Sequence, residues 1–176
     1  SAVGLKDFAT GLISPRYYAQ NFRPAGHLYF HLMERWNHLY YPSYVRVLQG
    51  VHLLNILLVF LLLRRFGGWR AFAGAMLFAF HIGVFEAYWK PMYIFDVLCG
   101  MFLLLALLSY VSGRWIVGLV FFWLAYKSKE HALLLPAVLA LYEYWFGGRR
   151  WKRLIPYFCI SALFGVQALL FNPNLN

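Results

Sequence analysis

A chain of 176 residues that is 62% hydrophobic and 12% charged has too few polar side chains to cover a soluble domain of its size. Its formal net charge of +10, from 16 Lys and Arg against 6 Asp and Glu, would suggest nucleic acid in a soluble protein. Here the basic residues sit at the ends of apolar blocks, which excludes nucleic acid as a partner and points to membrane topology and anionic lipid head groups.

The two cysteines, Cys99 and Cys159, both lie inside apolar blocks and read as small buried side chains rather than a disulfide or metal pair. The first residue is Ser and no signal peptide is visible, so the numbering is expected to begin inside a longer chain or after processing.

Residues 1–43 are mixed polar and aromatic, broken by Pro15, Pro24 and Pro42. They read as an outward-facing loop with one amphipathic helix, about 26–38, lying on the membrane interface. Residues 44–176 read as a transmembrane helical module. Six apolar blocks fall at roughly 44–63, 71–88, 93–112, 114–127, 131–147 and 154–171, each near the length that crosses about 30 Å of hydrocarbon. The expected fold is all-α: a polytopic bundle of about six apolar helices. RRFGGWR at 64–70 and FGGRRWKR at 146–153 are glycine helix stops carrying arginines.

The basic turns orient the bundle. If every block crosses, Arg64, Arg65, Arg70, Arg114, Arg149, Arg150, Lys152 and Arg153 share one side, and short turns rich in Lys and Arg stay cytoplasmic. Trp69, Trp115, Trp145 and Trp151 then mark the inner interface, and Trp36, Trp89 and Trp123 the outer one. The fourth and fifth blocks are short, which predicts a tilted hairpin with YKSKEH, 126–131, at its tip. Non-helical backbone at that depth requires enclosure by protein or a water-filled cavity.

Five of the six acids sort outward: Asp7, Glu34, Glu86, Asp96 and Glu130, with Glu143 near the inner side. A charge left deep in lipid costs about 2.5–3.5 kcal/mol, so carboxylates gathered at one membrane edge predict a polar cavity there, with Glu86, Asp96 and Glu130 beside Lys129. The alternative is that they cap helices or pair with Lys90, Lys127 and Lys129. His27, His31, Glu34 and His38 fall on one helical face. His at i and i+4 beside a carboxylate can bind a divalent metal, which makes His27, His31 and Glu34 a candidate metal set; the alternative is a polar face turned to water. His52 and His81 lie inside apolar blocks. An intramembrane imidazole can ligate haem or a chlorophyll magnesium, but more often donates a hydrogen bond to a neighbouring helix.

At these residues the chain resembles a known family. NFRPAGHLYFHLMERW followed by an apolar helix ending LLLRRFGG looks like the first outer loop and following helix of GT-C glycosyltransferases, multispanning enzymes that use polyprenyl-phosphate sugars. The nearest branch is that of the protein O-mannosyltransferases. HIGVFEAYWKPMYIFDVL, giving His81, Glu86 and Asp96, and KSKEHALLLP, giving Lys129, Glu130 and Pro136, match motifs of that branch in order and spacing.

The resemblance implies that an outer carboxylate deprotonates the acceptor, with Asp7, Glu86, Asp96 and Glu130 as candidate catalytic acids. Asp7 stands where a paired-acid motif is expected, with Lys6 where the family often has a second acid. It also implies cations or a divalent metal against the leaving lipid phosphate; Arg23, Lys127 and Lys129 are outward cations of that type. The chain corresponds to the front membrane module of such an enzyme, or to a shortened, non-catalytic relative kept as a subunit of a larger membrane complex. The implied partners are membrane lipids, a polyprenyl-phosphate sugar donor and, for the second alternative, other membrane subunits.

Overall fold

A computed structural model describes residues 5–15 and 23–171. Among them every regular element is helical. Eight α-helices follow in chain order: α1 Leu5–Ile13, α2 Pro24–Asn37, α3 Tyr41–Leu63, α4 Gly68–Phe80, α5 Ile94–Val111, α6 Trp115–Ser128, α7 Leu135–Trp145 and α8 Ile155–Phe171. Short 3₁₀ segments join several of them.

The local sequence explains most boundaries. Pro24, Pro42 and Pro136 occupy the first turns of α2, α3 and α7, where a missing N–H costs nothing and the fixed φ suits a helix. Gly67 and Gly113 take positive φ, +110° and +84°, in the turns after α3 and α5. That left-handed backbone is open to glycine and strained for most residues.

From α3 onward the helices alternate in direction. Asn55 Nδ2 donates to the Val97 carbonyl at 2.9 Å and Arg65 to the Val111 carbonyl at 3.3 Å, so α3 and α5 run the same way. His52 stacks on Phe78 near the far end of α4, which runs back. Tyr126 stacks on Phe164 and the Tyr157 hydroxyl donates to the Trp115 carbonyl at 2.8 Å, so α6 and α8 are parallel. The basic turns therefore collect at one end, where Phe66 meets Phe146. The first turn of α5, the C-terminus of α6 and the start of α7 lie at the other.

The core falls into two parts. One is built from α5 to α8 around Phe122, Leu139, Tyr157 and Phe164; a smaller one joins Leu48 of α3 to Ala87, Ile94 and Val97. Outside the core, large apolar side chains such as Leu53, Leu77, Phe80 and Leu169 are more than half exposed, a surface suited to lipid and not to water.

Of the about six apolar helices expected, only some reach the length of a membrane span. Each apolar block carries a helix, but two helical runs, Tyr41–Phe66 and Pro91–Val111, are long and apolar enough to cross a membrane. A third counts if α4 and the 3₁₀ run Ile82–Tyr88, bent by 62° at His81, act as one broken span. α6, α7 and α8 have 14, 11 and 17 residues. At 1.5 Å per residue these reach about 21, 16 and 25 Å, short of about 30 Å. The second block bends at His81, whose side chain accepts from Gly83 N at 3.1 Å and so starts the 3₁₀ run.

The polar side chains of α3 serve that bend. Gln49 donates to the Tyr88 carbonyl at 3.1 Å, and His52 lies 3.0 Å from the Tyr88 hydroxyl, which itself donates to the Ala79 carbonyl. In an apolar surrounding a helix break survives only when such partners satisfy the freed backbone. His52 is thus a helix-to-helix hydrogen-bonding residue. The helix expected at about 26–38 has other bounds: it starts at Pro24 and ends at Asn37, with His38 outside it at φ +51°.

Candidate functional site

Three chain segments meet at the end of the bundle away from the basic turns. The first is the start of α2. Arg23 precedes Pro24, and its guanidinium reaches Glu130, Nε to Oε1 at 3.2 Å and Nη2 to Oε2 at 3.0 Å. The second is the first turn of α5, where Asp96 also complements the helix dipole. The third is the end of α6, where Lys129 turns extended and breaks the helix. The Lys129 ammonium donates to Asp96 Oδ1. Two-pronged pairing of Arg to a carboxylate is the stronger and more directional form of ion pair.

Phe95 fills the space between these segments. The Arg23 guanidinium lies 5.7 Å from its ring centre and His27 packs edge-on at 5.3 Å. Gly26 makes this contact possible, since a Cβ there would lie 2.1 Å from Phe95 Cδ1. Gly26→Ala is therefore expected to force Phe95 outward and loosen both contacts, at about 1–3 kcal/mol. A thermal melt checks it, and an unchanged midpoint would mean Phe95 has room to spare.

Both pairs are partly buried. The side chains of Arg23 and Glu130 are 27% and 38% exposed, those of Lys129 and Asp96 21% and 40%. Beneath them Cys99, itself buried, points its thiol at the Lys129 carbonyl.

Lys127 is directed inward. It is 3% exposed, its ammonium donates to the Ser14 carbonyl at 2.6 Å, and the rings of Trp123, Tyr126 and Phe164 surround it. Trp123 Nε1 donates to the Leu12 carbonyl at 2.6 Å. These two donors cap the orphan carbonyls at the C-terminus of α1, where a cation is also favoured by the helix dipole. Ser128 is buried too, so residues 126–128 of the tip are enclosed by protein, while His131 is exposed.

The remaining candidates spread around this cluster. Glu86 accepts from Lys90 at 2.7 Å and from the Tyr93 hydroxyl; its carboxylate holds the Lys90 ammonium above its ordinary value. Glu86 is thus gathered into a neighbouring pair, while Asp96 and Glu130 share the central cluster with Lys129. Asp7 lies exposed in the first turn of α1, whose Phe8 packs on His31 at 5.2 Å.

The histidine face of α2 is covered, with His31 against α1 and His27 against α5. His27 Nδ1 is within hydrogen-bonding distance of the Arg23 backbone. Glu34 lines a separate groove with Phe30, Tyr41, Tyr44 and Pro91. Next to that groove the Tyr29 hydroxyl donates to the Tyr44 carbonyl at 2.7 Å; burial and the adjoining Tyr44 phenol push it up to about 12, so it remains a donor. Among the described residues no three His, Cys, Asp or Glu side chains group closely enough to hold a metal ion.

An apolar groove of about 440 Å³ runs up between α1, α6 and α8, lined by Leu12, Leu119, Val120, Trp123, Leu124 and Ile160. It ends at Leu124, within about one helical turn of Lys127 along α6. Sequence reasoning had no signal for Gly26 and Phe95, which matter only through their contact. It also lacked one for Trp123 as a cap, since indole reads first as an interfacial anchor. No family model, curated protein or solved structure matches the chain.

Proposed function

We propose that this chain is a multi-pass membrane protein of the GT-C glycosyltransferase type, acting on a polyprenyl-phosphate sugar at its outer face. The observation that carries the proposal is the convergence of Arg23 and Lys129, from separate elements and each steered by a carboxylate; an apolar groove lies farther along α6, against α1 and α8. A lipid phosphate needs cations where its negative charge develops, and its tail needs an apolar path.

In the transfer step the acceptor hydroxyl attacks the anomeric carbon. Its proton passes to a carboxylate, and the bond from the anomeric carbon to the phosphate oxygen breaks. The lipid phosphate leaves with the bonding electrons toward Arg23 and Lys129. Asp7, exposed on α1, is the proton acceptor in this scheme. Glu130 and Asp96 orient the cations.

Purified full-length protein assayed with polyprenyl-phosphate sugars tests the proposal. Arg23→Lys keeps the charge but loses the two-pronged geometry, and is expected to lower kcat/KM for the donor about tenfold, near 1.4 kcal/mol, with the loss appearing in kcat. A wild-type protein that transfers no sugar from any donor defeats the proposal.

One observation favours a second reading, a non-catalytic subunit of a membrane complex: both cations are already matched by carboxylates of the same chain, as in a structural clasp. Stable co-purification with other membrane proteins, without transfer, would establish it.

The arginine placement and the tryptophans support an orientation with the basic turns in the cytoplasm. Trp69, Trp145 and Trp151 are exposed at the basic end, and Trp36 and Trp89 at the other. Single cysteines placed at Gly67 and Arg149, with Cys99 and Cys159 replaced by serine, are expected to react with an impermeant maleimide only after the cells are opened. Labelling of either in intact cells would reverse the topology.

A further inference from the structure

The basic end of the bundle carries a surface of different construction. The turn after α7 closes over Glu143, which is 3% exposed and accepts from the Tyr110 hydroxyl at 2.9 Å and from Arg150 N at 2.8 Å. A Cβ at Gly147 would lie 2.4 Å from Glu143 Oε2, so the turn lies this close only because position 147 is glycine.

With Glu143 occupied inward, Arg149, Arg150, Lys152 and Arg153 have no carboxylate within ion-pair distance among the described residues. Beside this turn an apolar groove of about 480 Å³ runs between α7 and α8, lined by Ala140, Trp151, Leu154, Ile155, Phe158 and Ala162. Trp151 belongs to both features: its ring lines the groove and its neighbours in sequence are Arg150 and Lys152.

We infer that this groove and turn together hold one anionic phospholipid, with an acyl chain along α7 and α8 and the phosphate against the cations of the turn. The inference goes beyond the transferase proposal and rests only on the membrane setting. Charge complementarity selects the occupant. Unpaired cations at a membrane surface draw anionic head groups at about 1 kcal/mol each, about fivefold in affinity. A zwitterionic lipid brings its own cation and gains less. The side chains of Ala140 and Ala162 leave the width a chain needs.

Native mass spectrometry of the full-length protein in detergent, with phosphatidylglycerol and phosphatidylcholine supplied together, tests this. One phosphatidylglycerol should be retained in preference. Replacing Arg150, Lys152 and Arg153 together by glutamine should weaken its retention at least tenfold; Arg150 meets Glu143 through its main chain, so the turn keeps its anchor. Ala162→Phe, which fills the groove without altering charge, should weaken it too, and Ala140→Leu gives a second filled groove should the first variant fold poorly. Glutamine at Arg64, Arg65 and Arg70, the other arginine-rich turn, should leave this retention unchanged. An equal loss from that control would mean diffuse charge attraction, and undiminished retention with the groove filled would mean the chain lies elsewhere. Either result overturns the inference, as does a second protein chain found seated in the groove.

Discussion

Asp7→Asn is expected to lower sugar transfer by about 10²–10⁴-fold, the usual cost of losing a general base, while the protein stays folded. The fold should survive because Asp7 is exposed in the first turn of α1, and asparagine keeps the side chain's size and one acceptor oxygen. α1 is held instead by Phe8 against His31 and by the donors of Trp123 and Lys127 at its other end. An exposed carboxylate is also what an incoming acceptor hydroxyl requires. Wild type and variant should be assayed side by side, with melting curves. Robust transfer that survives the substitution removes Asp7 from the mechanism. A variant that loses activity and melts early would speak only of α1 docking, and Asp7→Glu then separates the two, since it should recover part of the rate.

Glu143→Leu should lower the melting midpoint by about 5–15 °C, the shift that about 2–5 kcal/mol produces in a chain of this size. The substitution strands the buried Tyr110 hydroxyl, worth about 1–3 kcal/mol when left unpaired, and removes the acceptor that anchors the partly buried Arg150 N. Glu143→Gln keeps one acceptor oxygen in nearly the same volume and should lose about half as much. Tyr110→Phe removes one donor cleanly, and should make the later loss of Glu143 less costly than it is in wild type. Melting in detergent, followed by intrinsic tryptophan fluorescence, measures all three. An unchanged midpoint for Glu143→Leu would show that the turn of residues 146–153 is fixed by something else.

Much of the fold was legible because its signals are local. Glycines followed by arginines mark the turns at 67–70 and 147–150, and prolines fix the first turns of α2, α3 and α7. The enclosure of residues 126–128 in the tip agrees with block length and with the cost of unsatisfied backbone in lipid. Block length misled at His81: the apolar run continues, yet the helix breaks, because a histidine able to cap Gly83 stands beside partners on α3 that no local pattern reveals. The same holds for the site. Asp96, Lys129, Glu130 and Arg23 were legible as outward charges, but Arg23 and Glu130 lie 107 residues apart, and nothing along the chain couples them. Lys127 and Lys129 look alike in sequence, yet helical rotation sends one beneath the rings of Trp123 and Phe164 and the other to Asp96. Glu143, the one acid out of place, was visible as an anomaly; its two donors were not.

The uneven helix lengths bear on how the chain is made. Tyr41–Phe66 and Pro91–Val111 carry enough apolar length to leave the ribosome-bound channel for the bilayer by themselves, as independently stable spans do before they associate. α6, α7 and α8 lack that length and should partition well only against a surface already in place. α5 offers that surface: Gly118 of α6 approaches so closely that a Cβ there would lie 3.1 Å from the Ala106 carbonyl. Synthesis would then proceed with α3 and α5 as early anchors. The C-terminal helices would be recruited to them as they emerge, α6 first, with Asp96 already in place for Lys129.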